Sequence, residues 1–178
     1  MERIGIFCSA SNDIDARFIE KTRELGAWLG KNKKCVVYGG SNTGLMEVVA
    51  RAAKENGGTL MGVVPSILEE KGRASDMLDI QFKTVNLSDR KDIMLRESDI
   101  MIALPGGIGT LDEIFHVMAS ATIGYHDKKV VLYNIDGFWD GIVDFMHHLD
   151  QHNFIHKSLN LVVESANNLE ELIQIIEK

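Results

Sequence analysis

Two groups of residues carry chemistry that the rest of the chain must position. The first is Pro105-Gly106-Gly107-Ile108-Gly109-Thr110-Leu111-Asp112-Glu113, which follows the apolar run Asp99–Leu104 and opens a helical pattern from Leu111 onward. Glycines at a strand-to-helix junction let backbone N–H groups turn toward one point, and the helix N-terminus adds partial positive charge there. Gly106, Gly107, Gly109 and Thr110 therefore read as a phosphate cradle, with Glu113 as a carboxylate close by. Thr110 and Glu113 also satisfy the capping box, in which the Glu would reach back to the cap N–H instead. The second group is Ser88-Asp89-Arg90-Lys91-Asp92, with Ser88 as the expected N-cap. That cap places Arg90 and Lys91 in a first helical turn, where cations oppose the helix dipole. A bound anion, or a carboxylate such as Glu113, would compensate them.

A further glycine turn, Gly39-Gly40-Ser41-Asn42-Thr43-Gly44, follows Cys35–Tyr38 and precedes the helical spacing of Leu45, Val48, Val49, Ala52 and Ala53. One such turn is an ordinary strand–helix connection. Two of them at the carboxyl ends of parallel strands share the sheet edge where open α/β proteins bind ligands. Neither matches the P-loop, since no Lys-Ser or Lys-Thr follows the glycines. The dinucleotide fingerprint fails as well, because Asp112 stands where its third glycine belongs.

The elements behind these loops alternate. Strands are expected at Ile4–Cys8, Cys35–Tyr38, Leu60–Val64, Ile80–Val85, Ile100–Leu104, Val130–Tyr133 and Leu161–Val163. Helices are expected over the Phe18–Leu29 face, Leu45–Asn56, Leu87–Glu97, Leu111–Gly124, Phe138–His148 and Leu169–Glu177. Ser66–Asp79 is charged and weakly periodic, compatible with a helix or a loop. The alternation predicts an α/β fold, a doubly wound parallel sheet of Rossmann-like type, with residues 1–178 forming one nucleotide-binding domain.

Composition narrows the partners. The 178 residues are 45% hydrophobic, enough for one sizeable core. A net charge of −7 argues against a nucleic-acid backbone or an anionic membrane as partner, while local donors still suit a single nucleotide. Cys8 and Cys35 fall on predicted strands and read as reduced core residues of a cytoplasmic protein. No apolar run approaches the ~20 residues of a membrane helix, and no signal peptide precedes the first strand. His148, His152 and His156 recur every fourth residue but lack an acidic ligand, so no metal is expected. His116 lies one turn after Asp112 and suggests a surface pair with it or a packing neighbour. Trp28 and Trp139 lie on apolar helix faces and read as core or interface residues.

Pro105–Glu113 as P-G-G-x-G-T-x-x-E, the Arg90-Lys91 pair 23 residues before Glu113, and the G-G-S-x-x-G-L-M run at Gly39–Met46 together resemble the LOG ("lonely guy") family. Those proteins are cytokinin riboside 5′-monophosphate phosphoribohydrolases, often labelled lysine decarboxylases. The likeness spans Ile4 to about Ile155. It implies hydrolysis of the N-glycosidic bond of a nucleoside 5′-monophosphate, including AMP, to a free base and ribose 5-phosphate. It further implies Arg90 and Glu113 as the catalytic pair and a homodimer; no metal or organic cofactor is expected, because no ligand cluster or cofactor motif accompanies the glycine loops. Gly39, Gly40, Ser41, Arg90, Lys91, Pro105, Gly106, Gly107, Ile108, Gly109 and Thr110 would hold substrate and phosphate. A carboxylate near C1′ suits a reaction that builds positive charge on the ribose. Arg90 is suited to phosphate, to ribose hydroxyls or to the departing base.

Three positions depart from the plant pattern: Ala119-Ser120 replace a Thr-Trp pair, Glu69–Arg73 stand near an expected acid, and Glu47 replaces a frequent glycine. They bear on which base is accepted rather than on phosphate or ribose. The alternative on the same fold is a nucleotide or molybdenum-cofactor carrier, which needs the glycine loops but not both Arg90 and Glu113. An NAD-dependent oxidoreductase is weakened by the failed fingerprint. For the dimer surface, the apolar series Ile114-Val117-Met118-Ala121 and Phe138-Trp139-Ile142 are the sequence candidates.

Overall fold

The computed structural model describes residues 1–155 and 158–178. Among these, seven strands form one parallel sheet: β1 (Arg3–Phe7), β2 (Cys35–Tyr38), β3 (Thr59–Pro65), β4 (Ile80–Thr84), β5 (Ile100–Ala103), β6 (Val130–Tyr133) and β7 (Val163–Ala166). Their spatial order is β4-β3-β2-β1-β5-β6-β7. The order reverses between β1 and β5, where Ile4 pairs with Ile100 and Phe7 with Ala103. Open α/β sheets leave a crevice outside the strand ends at such a reversal.

Helices α1 (Ala16–Lys31), α2 (Gly44–Glu55), α3 (Ser66–Glu70), α4 (Leu87–Glu97), α5 (Ile108–Thr122), α6 (Asp140–Gln151) and α7 (Leu169–Ile176) connect and cover the strands. Buried apolar residues divide between the two faces. Ile4, Ile6, Val36, Tyr38, Ile100 and Ile102 pack under α1, α2 and α7, whereas Phe7, Val37, Met101, Ala103 and Val130 pack under α4, α5 and α6. Alternation along each strand produces this split because successive side chains leave opposite faces of the pleat. Strands buried on both sides read as near-continuous apolar runs, as these do.

Several boundaries differ from the sequence expectation. α5 begins at Ile108 with Gly107 as its cap, not at Leu111. The α4 cap is Asn86, whose side chain accepts from Asp89 N, so Ser88 lies inside the helix and Arg90 at the end of its first turn. Leu159–Leu161 form a 3-10 turn, and the last strand starts only at Val163. The stretch Ser66–Asp79 resolves into the short α3 followed by irregular chain. No described helix is long and apolar enough to cross a membrane.

Candidate active site

The central crevice is closed by three loops tied through their backbones. Leu104 N donates to Phe7 O (2.9 Å), Ser9 N to Pro105 O (3.2 Å) and Leu45 N to Ser9 O (3.0 Å). Asn12 adds a side-chain tie, its Oδ1 accepting from Gly44 N at 2.8 Å. The connections after β1, β2 and β5 therefore form one surface. They surround a cavity of about 270 Å³ lined by Cys8, Ser9, Ala10, Met46, Arg90, Gly107, Gly109, Thr110 and Glu113.

One rim of this cavity is the N-terminus of α5. Its first intrahelical bond runs from Leu111 N to Gly107 O, at 3.0 Å. The N–H groups of Ile108, Gly109 and Thr110 precede that bond and have no partner within the helix, which is the arrangement that receives an anion. Gly107 and Gly109 are exposed, and a Cβ on either would meet nothing within 4 Å. Ile108 contributes backbone only, its side chain being 83% exposed.

The floor is an ion pair. Arg90 Nη1 donates to Glu113 Oε1 at 2.7 Å, with the side chains 13% and 7% exposed. Because Gly107 caps α5, Thr110 and Glu113 do not form a capping box, and the Glu113 carboxylate is left for Arg90. Burial pushes the Glu113 carboxyl above its usual range, against the opposing pull of Arg90. Cys8 lines the same space, and burial followed by the Glu113 charge pushes its thiol up, so it is a poor nucleophile. Arg90 Nε is buried without a hydrogen-bond partner. A buried donor left unpaired costs about 1–3 kcal/mol.

The remaining sequence candidates distribute around this centre. Gly39 lies against Arg90: a Cβ there would run into the guanidinium. Gly40 and Ser41 turn away, the first accepting from Ser75 N at 2.7 Å and the second pairing with Thr43 Oγ1 at 3.0 Å. Pro105 and Gly106 border a neighbouring cavity of about 320 Å³, walled by Ile14, Phe18 and Phe138 and joined to the first at Ser9. Lys91 is absent from the cavity lining; its Nζ bonds both carboxylate oxygens of Asp112, at 2.9 and 2.8 Å. His116 accordingly does not meet Asp112 but lies 3.2 Å from Asp92.

Sequence reasoning passed over Cys8, Ser9, Ala10 and Met46. The signal available was position: Ser9-Ala10-Ser11-Asn12 follows the strand at the centre of the sheet, at the same edge as the glycine loops. Trp139 is buried, its Nε1 donating to Ala103 O at 3.2 Å, and Trp28 packs partly buried against the core. His148 and His152 stack at 4.5 Å, while His156 lies outside the described residues. No cluster of potential metal ligands occurs among the described residues.

A family described as "possible lysine decarboxylase" matches residues 46–176. Cytokinin riboside 5′-monophosphate phosphoribohydrolase LOG5 of Arabidopsis thaliana is 35% identical over 176 residues, covering 99% of this chain and 77% of that protein. The Arabidopsis relative LOG7 of the same name is 32% identical, covering 99% and 82%. Among solved structures, the Moco carrier protein of Chlamydomonas reinhardtii superposes with a TM-score of 0.75 at 25% identity, covering 99% of this chain and 95% of that one. The molybdenum cofactor binding protein of Rippkaea orientalis has a TM-score of 0.74 at 23% identity, a likeness of fold.

Proposed function

The chain belongs to the LOG family of cytokinin riboside 5′-monophosphate phosphoribohydrolases, and from that premise we propose that its central cavity hydrolyses the N-glycosidic bond of a nucleoside 5′-monophosphate. The buried Arg90–Glu113 pair, opening beside the free N–H groups of α5, carries this reading. A carrier would use the cradle but has no need of a carboxylate forced into a buried pair beneath it.

In this mechanism the 5′-phosphate rests on the N–H groups at Ile108, Gly109 and Thr110. The ribose then faces Glu113. As the C1′–N bond lengthens, positive charge grows on the sugar, and the ionised carboxylate stabilises it or orients the attacking water. Water adds to C1′, its proton passes to the departing base or to solvent, and ribose 5-phosphate and free base leave. Arg90 donates to Glu113 and opposes the effect of burial on its carboxyl, favouring the charged form that the reaction uses. The chemistry is related to glycoside hydrolysis, with a single carboxylate at hand.

Glu113→Gln tests the assignment with AMP as substrate and free adenine as the readout. The variant keeps shape and hydrogen bonding but loses charge, so AMP binding persists while turnover falls about 10²-fold or more. Adenosine, lacking the phosphate anchor, is turned over poorly by the parent. Near-parental turnover by the variant would return Glu113 to a structural role.

A homodimer and a cytoplasmic location complete the proposal. Of the apolar series read from sequence as a dimer surface, Ile114, Val117, Met118, Ala121 and Trp139 are buried, while Ile142 is half-buried and Phe138 exposed. Exposed apolar area lies at Leu87, Ile108, Phe115, Ile123 and Tyr125, on or beside α4 and α5, and this is the surface we assign to a second copy. Light scattering should give twice the chain mass at micromolar concentration; a monomer mass refutes it. Cys8 and Cys35 are free thiols, in keeping with a reducing compartment.

A further inference from the structure

We propose that Lys91 and Asp112 are positioning residues that hold the Arg90–Glu113 pair in register by clamping the amino-terminal half of α4 to that of α5. This rests on the reading of Arg90 and Glu113 as the catalytic pair. Consecutive residues on each helix are involved: Arg90 reaches Glu113 at 2.7 Å, Lys91 reaches Asp112 at 2.8 Å, and one residue further Asp92 meets His116 at 3.2 Å. Polar contacts thus stitch the two helices along the seam that opens into the cavity.

Apolar packing does not fix that seam alone. Within α4, Met94 is the anchor, while Leu87, Ser88, Asp89 and Asp92 are exposed and Ile93 and Leu95 half-buried. The apolar grip therefore lies toward the carboxyl half of α4, and Arg90 lies in the half without it. A helix held at one end pivots at the other, and a guanidinium at that free end would wander relative to Glu113. Lys91 prevents this geometrically. Its side chain is 13% exposed, its ammonium engages both oxygens of Asp112, and it is absent from the cavity lining. An Arg-Lys pair that reads in sequence as two anion ligands divides in the fold into one residue at the cavity and one brace behind it. The charges of the brace also act on Glu113 in opposite senses, Lys91 lowering its affinity for a proton and Asp112 raising it.

The test is steady-state hydrolysis of AMP by Lys91→Met, Asp112→Asn and the exchanged double variant Lys91→Asp with Asp112→Lys, all in the full chain. Positioning predicts that each single variant loses about tenfold in kcat on the pH plateau with KM within about twofold, as small misplacements of reacting groups do. The exchanged pair should regain most of kcat, because it restores the clamp with the charges reversed. A raised KM in Lys91→Met at parental kcat, unrescued by the exchange, would make Lys91 a phosphate ligand and overturn the proposal. A purely electrostatic role would also overturn it: the acid limb would move up in Lys91→Met and down in Asp112→Asn, with the plateau unchanged. If the parent releases no base from any nucleoside monophosphate, the functional reading itself fails, a result separate from any of these.

Discussion

The two glycine-dense turns look alike in sequence and do opposite things in the fold. At Gly107 and Gly109 the space where a side chain would sit is open, and backbone N–H groups face it. At the other turn the same space is filled. A Cβ on Gly39 would overlap the Arg90 guanidinium, and one on Gly40 would come within 2.5 Å of Val64 Cγ2. Gly44, with φ of +61°, would press on the Ala10 backbone at 2.5 Å and on the carbonyl of Ser9 at 2.6 Å. One loop leaves open the space beside Gly107 and Gly109, which the proposed function gives to a ligand; the other omits side chains so that the protein's own parts close together. Glycine composition reports a shortage of room without saying for whom.

Gly39→Ala should break this contrast most severely. The position has no positive φ, so alanine meets no backbone penalty, and the damage must pass through Arg90. With the guanidinium displaced from Glu113, kcat for AMP should fall about 10²-fold, the scale expected when a reacting group is misplaced by about an ångström. Binding through the α5 cradle should change far less. Parental kcat in this variant would mean that Arg90 relocates without consequence and that the loop is packing alone.

How much of this was legible beforehand follows from the kind of signal involved. Alternating apolar runs separated by glycine turns are set by burial on both faces of the sheet, so the α/β alternation was readable from Ile4 to Ile176. The helices expected to start at Leu87 and Leu169 do so, but the cap of the first was not readable, because Asn86 and Ser88 are both competent and only tertiary context chooses between them. At Thr110 the ambiguity was chemical: a capping box and a catalytic carboxylate share one spacing. The choice came from Arg90, 23 residues away in sequence and 2.7 Å away in space. The ion pair of Lys91 with Asp112 was hidden for the same reason, since the two lie on different elements. Ser9 had no motif of its own, and Met46 entered only as the end of the Gly39–Met46 run; their place at the site became visible when the topology brought β1 and β2 to the crevice.

Gly109→Ala probes the other side of the contrast and should have the smaller effect. The residue lies in the first turn of α5, exposed, with nothing within 4 Å of a new Cβ. Alanine is preferred over glycine in a helix by about 1 kcal/mol, so the folded state should be at least as stable as the parent. Any loss must therefore come from a molecule that occupies the open space only during catalysis. If that molecule is the 5′-phosphate, KM for AMP should rise about tenfold, equivalent to ~1.4 kcal/mol, while kcat at saturation stays close to parental. Adenosine, with no phosphate to collide, should keep its low parental rate. The pattern is the inverse of that expected for Gly39→Ala, where kcat carries the loss. A Gly109→Ala enzyme with unchanged KM and raised melting temperature would show that the phosphate rests elsewhere along the crevice, and the cradle would have to be sought at the Gly106 backbone instead.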